Sequence, residues 1–226
     1  MASKVDICNI SLSHLGNKAQ VVSIDPPDGS VEADYCSRFF TIARDEILEA
    51  GDWTFARTRV ALSALTNNPS STWAYAYALP SDCITPRRIM TGDATQHEDD
   101  SPDFDVEGLT DGTMVLLTNQ SSATLVYTRT ISDPTKFSPG FTTAFTYKLA
   151  AYLAGPVLRG DAGSNAAASL HKIAGQKVLE AMSFDANRAW RGDEYVPSMV
   201  AARGGSVPST SLGSSQSIYP TGYAIS

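Results

Sequence analysis

The sequence is poor in the residue types that carry most chemistry. Of its 226 residues three are cysteine and three are histidine, and Cys8, Cys36 and Cys83 are far apart with no Cys-x-x-Cys pair among them. Such spacing makes neither a disulfide framework nor a zinc knuckle. Cys8 and Cys36 fall on the apolar faces of two expected helices, where a free thiol behaves as a small hydrophobe, so core cysteines with no metal and no disulfide are the expectation. His14, His97 and His171 are separated by whole elements. No Gly-x-Ser-x-Gly elbow exists, no glycine-rich phosphate loop leads into a helix and no Walker-type lysine follows one. No apolar run approaches the roughly eighteen residues of a bilayer span. The N-terminal Met-Ala-Ser-Lys-Val-Asp lacks an apolar signal core, so synthesis and retention in the cytosol are expected. The chain reads as a non-enzyme without a cofactor.

Basic charge is also in short supply. Lys and Arg total 17 against 24 Asp and Glu, a formal charge of −7. Proteins that grip nucleic acid draw affinity from clustered Lys and Arg, so tight DNA binding is disfavoured. A negative wall past which DNA slides without adhering is compatible with this balance.

What is present is an α+β pattern. A first helix is expected from Ser3 to about Leu15, with Ser3 as cap, Asp6 at the positive end and Gly16-Asn17 as a left-handed stop. Its apolar stripe takes Ile7, Cys8, Ile10 or Ser11, Leu12 and Leu15. Asp25-Pro26-Pro27-Asp28-Gly29 is a turn. The second helix should run from Ser30 to about Ala50. Its stripe takes Ala33, Cys36, Phe40, Ala43, Ile47 and Ala50, widened by Tyr35, Phe39, Ile42 and Leu48, a face broad enough to lie between other helices. Gly51 stops it, and Trp53 and Phe55 stand on the chain as it leaves. Together with Arg44 and Asp45 they are the candidate structural joint between two halves of the molecule.

From about Thr58 to Ser132 the period becomes alternating. Strands are expected at Arg59–Leu62, Trp73–Leu79, Ile84–Met90, Phe104–Val106, Met114–Thr118 and Thr124–Arg129, with a tight turn at Asp111-Gly112, forming one small antiparallel sheet. Trp73, Tyr75, Tyr77 and Leu79 should share one bulky face, either packed or available to stack on sugars or bases. Helix returns from Phe141 and should end or kink at Gly155-Pro156. An Ala-rich last helix follows from near Ser164 to about Ala189. The organisation expected is a discontinuous helical bundle over 1–57 and 138–195, an inserted small antiparallel β subdomain over 58–137, and an extended C-terminal tail over 196–226. The tail is Gly, Ser, Thr and Pro with scattered Val207, Leu212, Ile218, Tyr219 and Tyr223, too little apolar surface to order by itself, so it should order along a partner.

The run His97-Glu98-Asp99-Asp100-Ser101-Pro102-Asp103-Phe104-Asp105-Val106-Glu107-Gly108 is the one cluster suited to a hard cation. Asp103, Asp105, Glu107 and Gly108 match the first half of a calcium loop, but Met114 stands where a bidentate Glu belongs. The alternative is a solvated loop leading into a strand. Arg87-Arg88, with Arg57, Arg59 and Arg129, reads either as edge-strand solubilisers or as partners for an acidic surface.

A set of landmarks in order carries a resemblance. They are Ile7-Cys8-Asn9 with Leu12 and Leu15-Gly16; Ala33, Tyr35-Cys36, Arg44-Asp45 and Trp53-Thr54-Phe55-Ala56; Trp73-x-Tyr75-x-Tyr77-x-Leu79-Pro80-x-Asp82-Cys83 and Arg88-Ile89; Glu107-Gly108 and Leu116-Leu117-Thr118-Asn119; Tyr127 to Asp133-Pro134; and Phe137-x-Pro139-x-Phe141 running into Leu149-Ala150-Ala151-x-Leu153-Ala154. Over about residues 5–158 the chain resembles the adaptor of short-tailed bacteriophages, the tail tubular protein A type of head-to-tail connector. The resemblance implies a helical bundle with an inserted β subdomain, assembled as a twelve-subunit ring between portal and tail nozzle, with DNA passing through the centre without sequence-specific binding. It implies a virion location, in the neck of the tail, after assembly in host cytoplasm. Portal contact would fall to the bundle and the tail residues Val207, Leu212, Ile218, Tyr219 and Tyr223, and distal contact to the sheet and a loop carrying Asp99, Asp100 and Asp103. The other reading is a virion-associated glycan hydrolase acting on host envelope, with Glu98, Asp99, Asp103 and Asp105 as candidate acids.

Overall fold

A computed structural model describes residues 2–18, 20–91 and 101–188. Over these residues the chain is α+β, with four helices and two three-stranded antiparallel sheets whose strands lie, in sequence, between the second and third helices.

Helix α1 spans Lys4–His14. Ser3 and Asp6 form a reciprocal capping box at its start, satisfying two backbone donors that the first turn leaves open. At its end Gly16 is left-handed (φ 71°), and the amides of Asn17 and Gly16 bond back to the carbonyls of Leu12 and Ser13, closing the helix. Ser11, not Ile10, occupies the buried stripe, with its hydroxyl returned to the Ile7 carbonyl, and Ile10 is exposed. Asn9 clasps the backbone of Val21 through both amide atoms, at 2.8 and 3.0 Å, and so folds the next loop onto α1. In the turn that follows, the Ser30 hydroxyl and the amides of Val22 and Ser30 hold Asp28 well below the usual carboxylate range.

Helix α2 spans Val31–Ala50, capped by the Ser30 hydroxyl. Ala33, Cys36, Phe40, Ala43 and Ile47 are buried as their spacing predicts, and Leu48 with them. Ala50 and Ile42 are exposed, which corrects the wider stripe. The physical reason is that α2 packs chiefly on a third helix, with smaller contacts to strands, and leaves Ile42 and Ala50 outside that face.

The strands are β1 (Arg57–Ala61), β2 (Tyr75–Ala78), β3 (Cys83–Met90), β4 (Phe104–Gly108), β5 (Met114–Thr118) and β6 (Thr124–Arg129). The single expected sheet is in fact two, in the orders β1-β6-β3 and β2-β5-β4. Alternation marks strands but carries no information on which sheet each joins. The two face one another across a shared cluster of Tyr77, Ile89, Leu116, Leu125 and Tyr127. Residues 62–65 step between them: the Leu62 amide bonds to Ala123, and the Leu65 amide to Ala76 of β2. The hairpin turn at Asp111-Gly112 forms as expected, with Gly112 left-handed (φ 85°) and the Leu109 amide bonded to Thr113.

The expected bulky face of β2 divides. Tyr77 points into the shared cluster, Trp73 covers the opposite face of the sheet with Ala76, Val115 and Leu117, and Tyr75 is 39% exposed. The strand begins only at Tyr75, so its two-residue period does not reach back to Trp73.

Helix α3 spans Pro139–Leu158 and α4 spans Gly160–Ala186. The Gly155-Pro156 pair does not end α3. Pro156 lies in the last turn, where it removes one hydrogen bond near an end that leaves carbonyls open anyway. Reversal falls instead on Arg159 and Gly160, both at positive φ, so α4 starts four residues earlier than expected. The two helices approach closely: a Cβ on Gly163 would stand 3.0 Å from the Ala154 carbonyl oxygen. Ala150, Ala151 and Ala154 meet Leu170 across that contact.

Candidate functional site

Long-range ties converge on the corner where α2 hands over to β1, residues 47–57. Trp53 is fully buried there. Its indole N–H donates to the Ile47 carbonyl at 2.8 Å, taking up one of the carbonyls that the end of α2 leaves unpaired. Its ring meets Phe141 edge-on, centroids 5.0 Å apart at 88°. Phe55 packs on the same ring at 5.0 Å and on Phe137 at 5.8 Å. Phe137, Phe141 and Phe145 stand at four-residue spacing and continue the contact to Phe40 of α2.

Gly51 ends α2 in extended conformation (φ −139°), so a left-handed stop is not its role. A side chain there would press on Met182 and on the Trp53 ring, each at 3.1 Å. Glycine is needed for room.

The last turn of α2 contains no basic residue. The charge that complements it arrives from the sheet: Arg87 of β3 donates to the carbonyls of Glu49 and Gly51 and, through Nε, to the Thr128 hydroxyl at 2.9 Å. A cation at a helix C-terminus is favoured by the helix dipole. Arg87 is therefore committed to the corner, neither an edge solubiliser nor an exposed partner site. Arg57 makes a two-pronged bond to Asp52, at 3.0 and 2.7 Å.

From the other side α4 reaches in. Asp185 is 3% exposed, and its carboxylate accepts from the Thr54 amide at 2.6 Å and the Thr54 hydroxyl at 2.9 Å. An acid in the last turn of a helix is disfavoured by the helix dipole. That misfit was a readable signal, and Asp185 went unnoticed in the sequence. Arg87 offered no such signal, because only the fold brings β3 to the end of α2.

Of the residues assigned to the joint, Trp53 and Phe55 share the aromatic cluster. Arg44 and Asp45 pair with each other, Nη2 to Oδ1 at 2.8 Å, with the Arg44 side chain 8% exposed. A second tie links α2, α3 and α4 nearby. Glu46 accepts from Lys148 and from the Tyr152 hydroxyl, and Tyr152 meets the His171 ring edge-on at 5.4 Å. Burial raises the Glu46 carboxyl, but the bonds from Lys148 and Tyr152 outweigh it and leave it below its ordinary value. The same bond to Glu46, with burial, pushes Tyr152 up to about 12.

Over its described part the acidic run leads into a strand, as the loop-into-strand reading expects, and not into a calcium loop. Phe104–Gly108 is strand paired to β5, the Asp103 carbonyl accepts the Thr118 hydroxyl, and the Asp105 carboxylate accepts the Val106 amide. Among the described residues no group of His, Cys, Asp and Glu is placed to hold a metal ion, and no helix is long and apolar enough to cross a membrane. A groove of about 370 Å³ lies beside β3, β4 and β5, lined by Leu79, Pro80, Cys83, Ile84, Val106 and Met114 among others, with no acid among its lining residues. Asp99, Asp100, Val207, Leu212, Ile218, Tyr219 and Tyr223 lie outside the described residues.

Compared with known proteins, the sequence matches no family model and no curated protein.

Proposed function

We propose that this chain is a structural adaptor of a short-tailed phage particle, a head-to-tail connector forming a ring between portal and tail nozzle through which DNA passes. One observation carries the reading. Landmarks of that resemblance drawn from distant parts of the chain meet in one place: Trp53 and Phe55 lie against Phe137 and Phe141, and Thr54 is held by the far end of α4. A mechanical joint is the kind of feature such a part requires, since a ring that bridges two partners must fix the angle between the surfaces it presents to them. The acidic balance of the chain suits a bore that phosphates slide past.

The test is assembly. The purified chain, alone and mixed with the portal and nozzle proteins of its own particle, is imaged and its mass measured. Closed rings, alone or on the portal, are the expected result. A chain that stays monomeric with both partners present overturns the proposal.

A further inference from the structure

β1 lies at the edge of one sheet and β4 at the edge of the other, and among the described residues neither has a second strand beside it. Such an edge is a row of backbone donors and acceptors that invites pairing with another chain. The register tells which residues present that row. The Leu62 amide bonds to Ala123 and the Ala56 carbonyl accepts from Arg129, so Thr58 and Val60 turn their backbone to β6, and Arg59 and Ala61 turn theirs outward. The Leu109 amide bonds to Thr113, so Asp105 and Glu107 turn their backbone to β5, and Phe104, Val106 and Gly108 turn theirs outward. Leu62 and Phe104 pack on the shared interior, which puts Val60 and Val106 on the inner faces and Arg59, Asp105 and Glu107 on the outer ones. Arg59, Val60, Asp105 and Glu107 are exposed. One edge is basic and the other acidic.

We propose that β1 of one copy adds in parallel to β4 of the next, with Arg59 beside Asp105. The direction follows from the alternation. In an antiparallel pair, residues directly opposite both turn their backbone to one another, which would set Arg59 against Val106 and leave the charges on different faces. In a parallel pair a residue turned toward the partner strand stands opposite one turned away, so Arg59 meets Asp105 or Glu107 on a common outer face. Opposite Asp105, it brings Val60 beside Val106, which lines the apolar groove. Opposite Glu107, it would bring Val60 beside Gly108, with no side chain to meet. The first register is favoured, and Glu107 then lies diagonal to Arg59. In the single chain the Asp105 carboxylate covers the Val106 amide at 2.8 Å. Arg59 draws that carboxylate away and uncovers the donor for the incoming strand. Because the contact joins two different patches, each copy uses β1 toward one neighbour and β4 toward the other. Such head-to-tail repetition closes into a ring where the rotation permits and grows into a filament where it does not.

Closure rests on the ring reading above, whereas the strand contact is tested by itself. The full chain, its Arg59→Glu and Asp105→Arg variants and the double variant are followed by native mass, electron microscopy and hydrogen exchange, alone and with the portal protein. Both side chains are exposed, so the variants should melt as the native chain does. Each single reversal is expected to weaken assembly about tenfold or more, because it sets like charges side by side. The double reversal should restore assembly, and so should mixing the two single variants. In the assembled native chain, exchange should slow at the outward amides of β1 and β4. The contact is overturned if the single variants assemble like the native chain, if the double variant stays as weak as they are, or if assembly brings those two strands no protection. Native rings without that protection remove the contact and leave the adaptor reading standing. Open filaments with the protection and the charge dependence do the reverse. A chain that stays monomeric throughout ends both.

Discussion

In the helical core a chain of rings runs unbroken from Phe40 through Phe145, Phe141 and Trp53 to Phe55, each in contact with the next. The two sheets have no such spine. Their shared interior is Tyr77, Ile89, Leu116, Leu125 and Tyr127 with Ala123, enclosed by strands of four to eight residues. Burial of large aromatic area makes the first region expensive to open. The second is small, and short three-stranded sheets are marginal unless packed against something else. It is tied back to the helices by Arg87, which bonds the carbonyls that end α2; within it the Tyr127 hydroxyl donates to Asp82 at 2.9 Å, and burial with that bond pushes Tyr127 up to about 12. One half is held by volume, and the other is anchored by direction.

The sharpest way to break that contrast is to remove the ring at the corner. Trp53→Ala deletes a fully buried side chain, its contacts with Phe141 and Phe55, and the bond to Ile47. A loss of about 3–5 kcal/mol is expected in urea unfolding. If the corner joins the halves, helical circular dichroism and sheet-tyrosine signals will shift together as one transition. A negligible loss, or two separated transitions, would put the hinge elsewhere.

Arg87→Gln acts on the other half. It removes the charged donor from the Glu49 and Gly51 carbonyls and from Thr128, for an expected loss of about 1.5–3 kcal/mol. Hydrogen exchange should quicken first in β3 and β6, while amides of α3 stay protected to the global limit. Equal quickening in both halves would erase the distinction between volume and direction.

How much of this was legible beforehand follows the range of the interactions. Periodicity is local, so the caps of α1 and α2, the Asp111-Gly112 turn and the limits of β5 and β6 could be read directly. The division of six strands into two sheets could not, because pairing such as β1 with β6 joins residues some seventy positions apart and leaves no mark in spacing. The joint was legible as an aromatic pair after a glycine, and its partner Phe141 as the start of the third helix. What closes it was not, since Arg87 and Asp185 gain their roles only from where the fold carries them. Gly51 looked like a conformational stop and is a spatial one.

The smallest effect concerns the outer edge of the helical half, where volume alone no longer decides. His14 stacks on Tyr147 with centroids 4.1 Å apart, and burial holds its imidazole below the ordinary histidine value. Burial, helped by the nearby Lys148 charge, does the same to His171. With the folded value below the unfolded one, the unfolded chain takes up protons first as pH falls. Stability is therefore undiminished above the unfolded value of about 6.5 and declines as pH drops through it toward the folded values. Both rings are partly exposed, so the melting temperature should fall by only about a degree or two between pH 7 and 5. Below that window Glu46 begins to protonate and its ties to Lys148 and Tyr152 weaken, which is a separate loss. Melting curves for the native chain and for His14→Gln with His171→Gln separate the two: the double variant should lose the decline between pH 7 and 5 and keep the one beneath it. A native chain that gains stability over that interval would reverse the sign and remove both histidines from the helical packing argument.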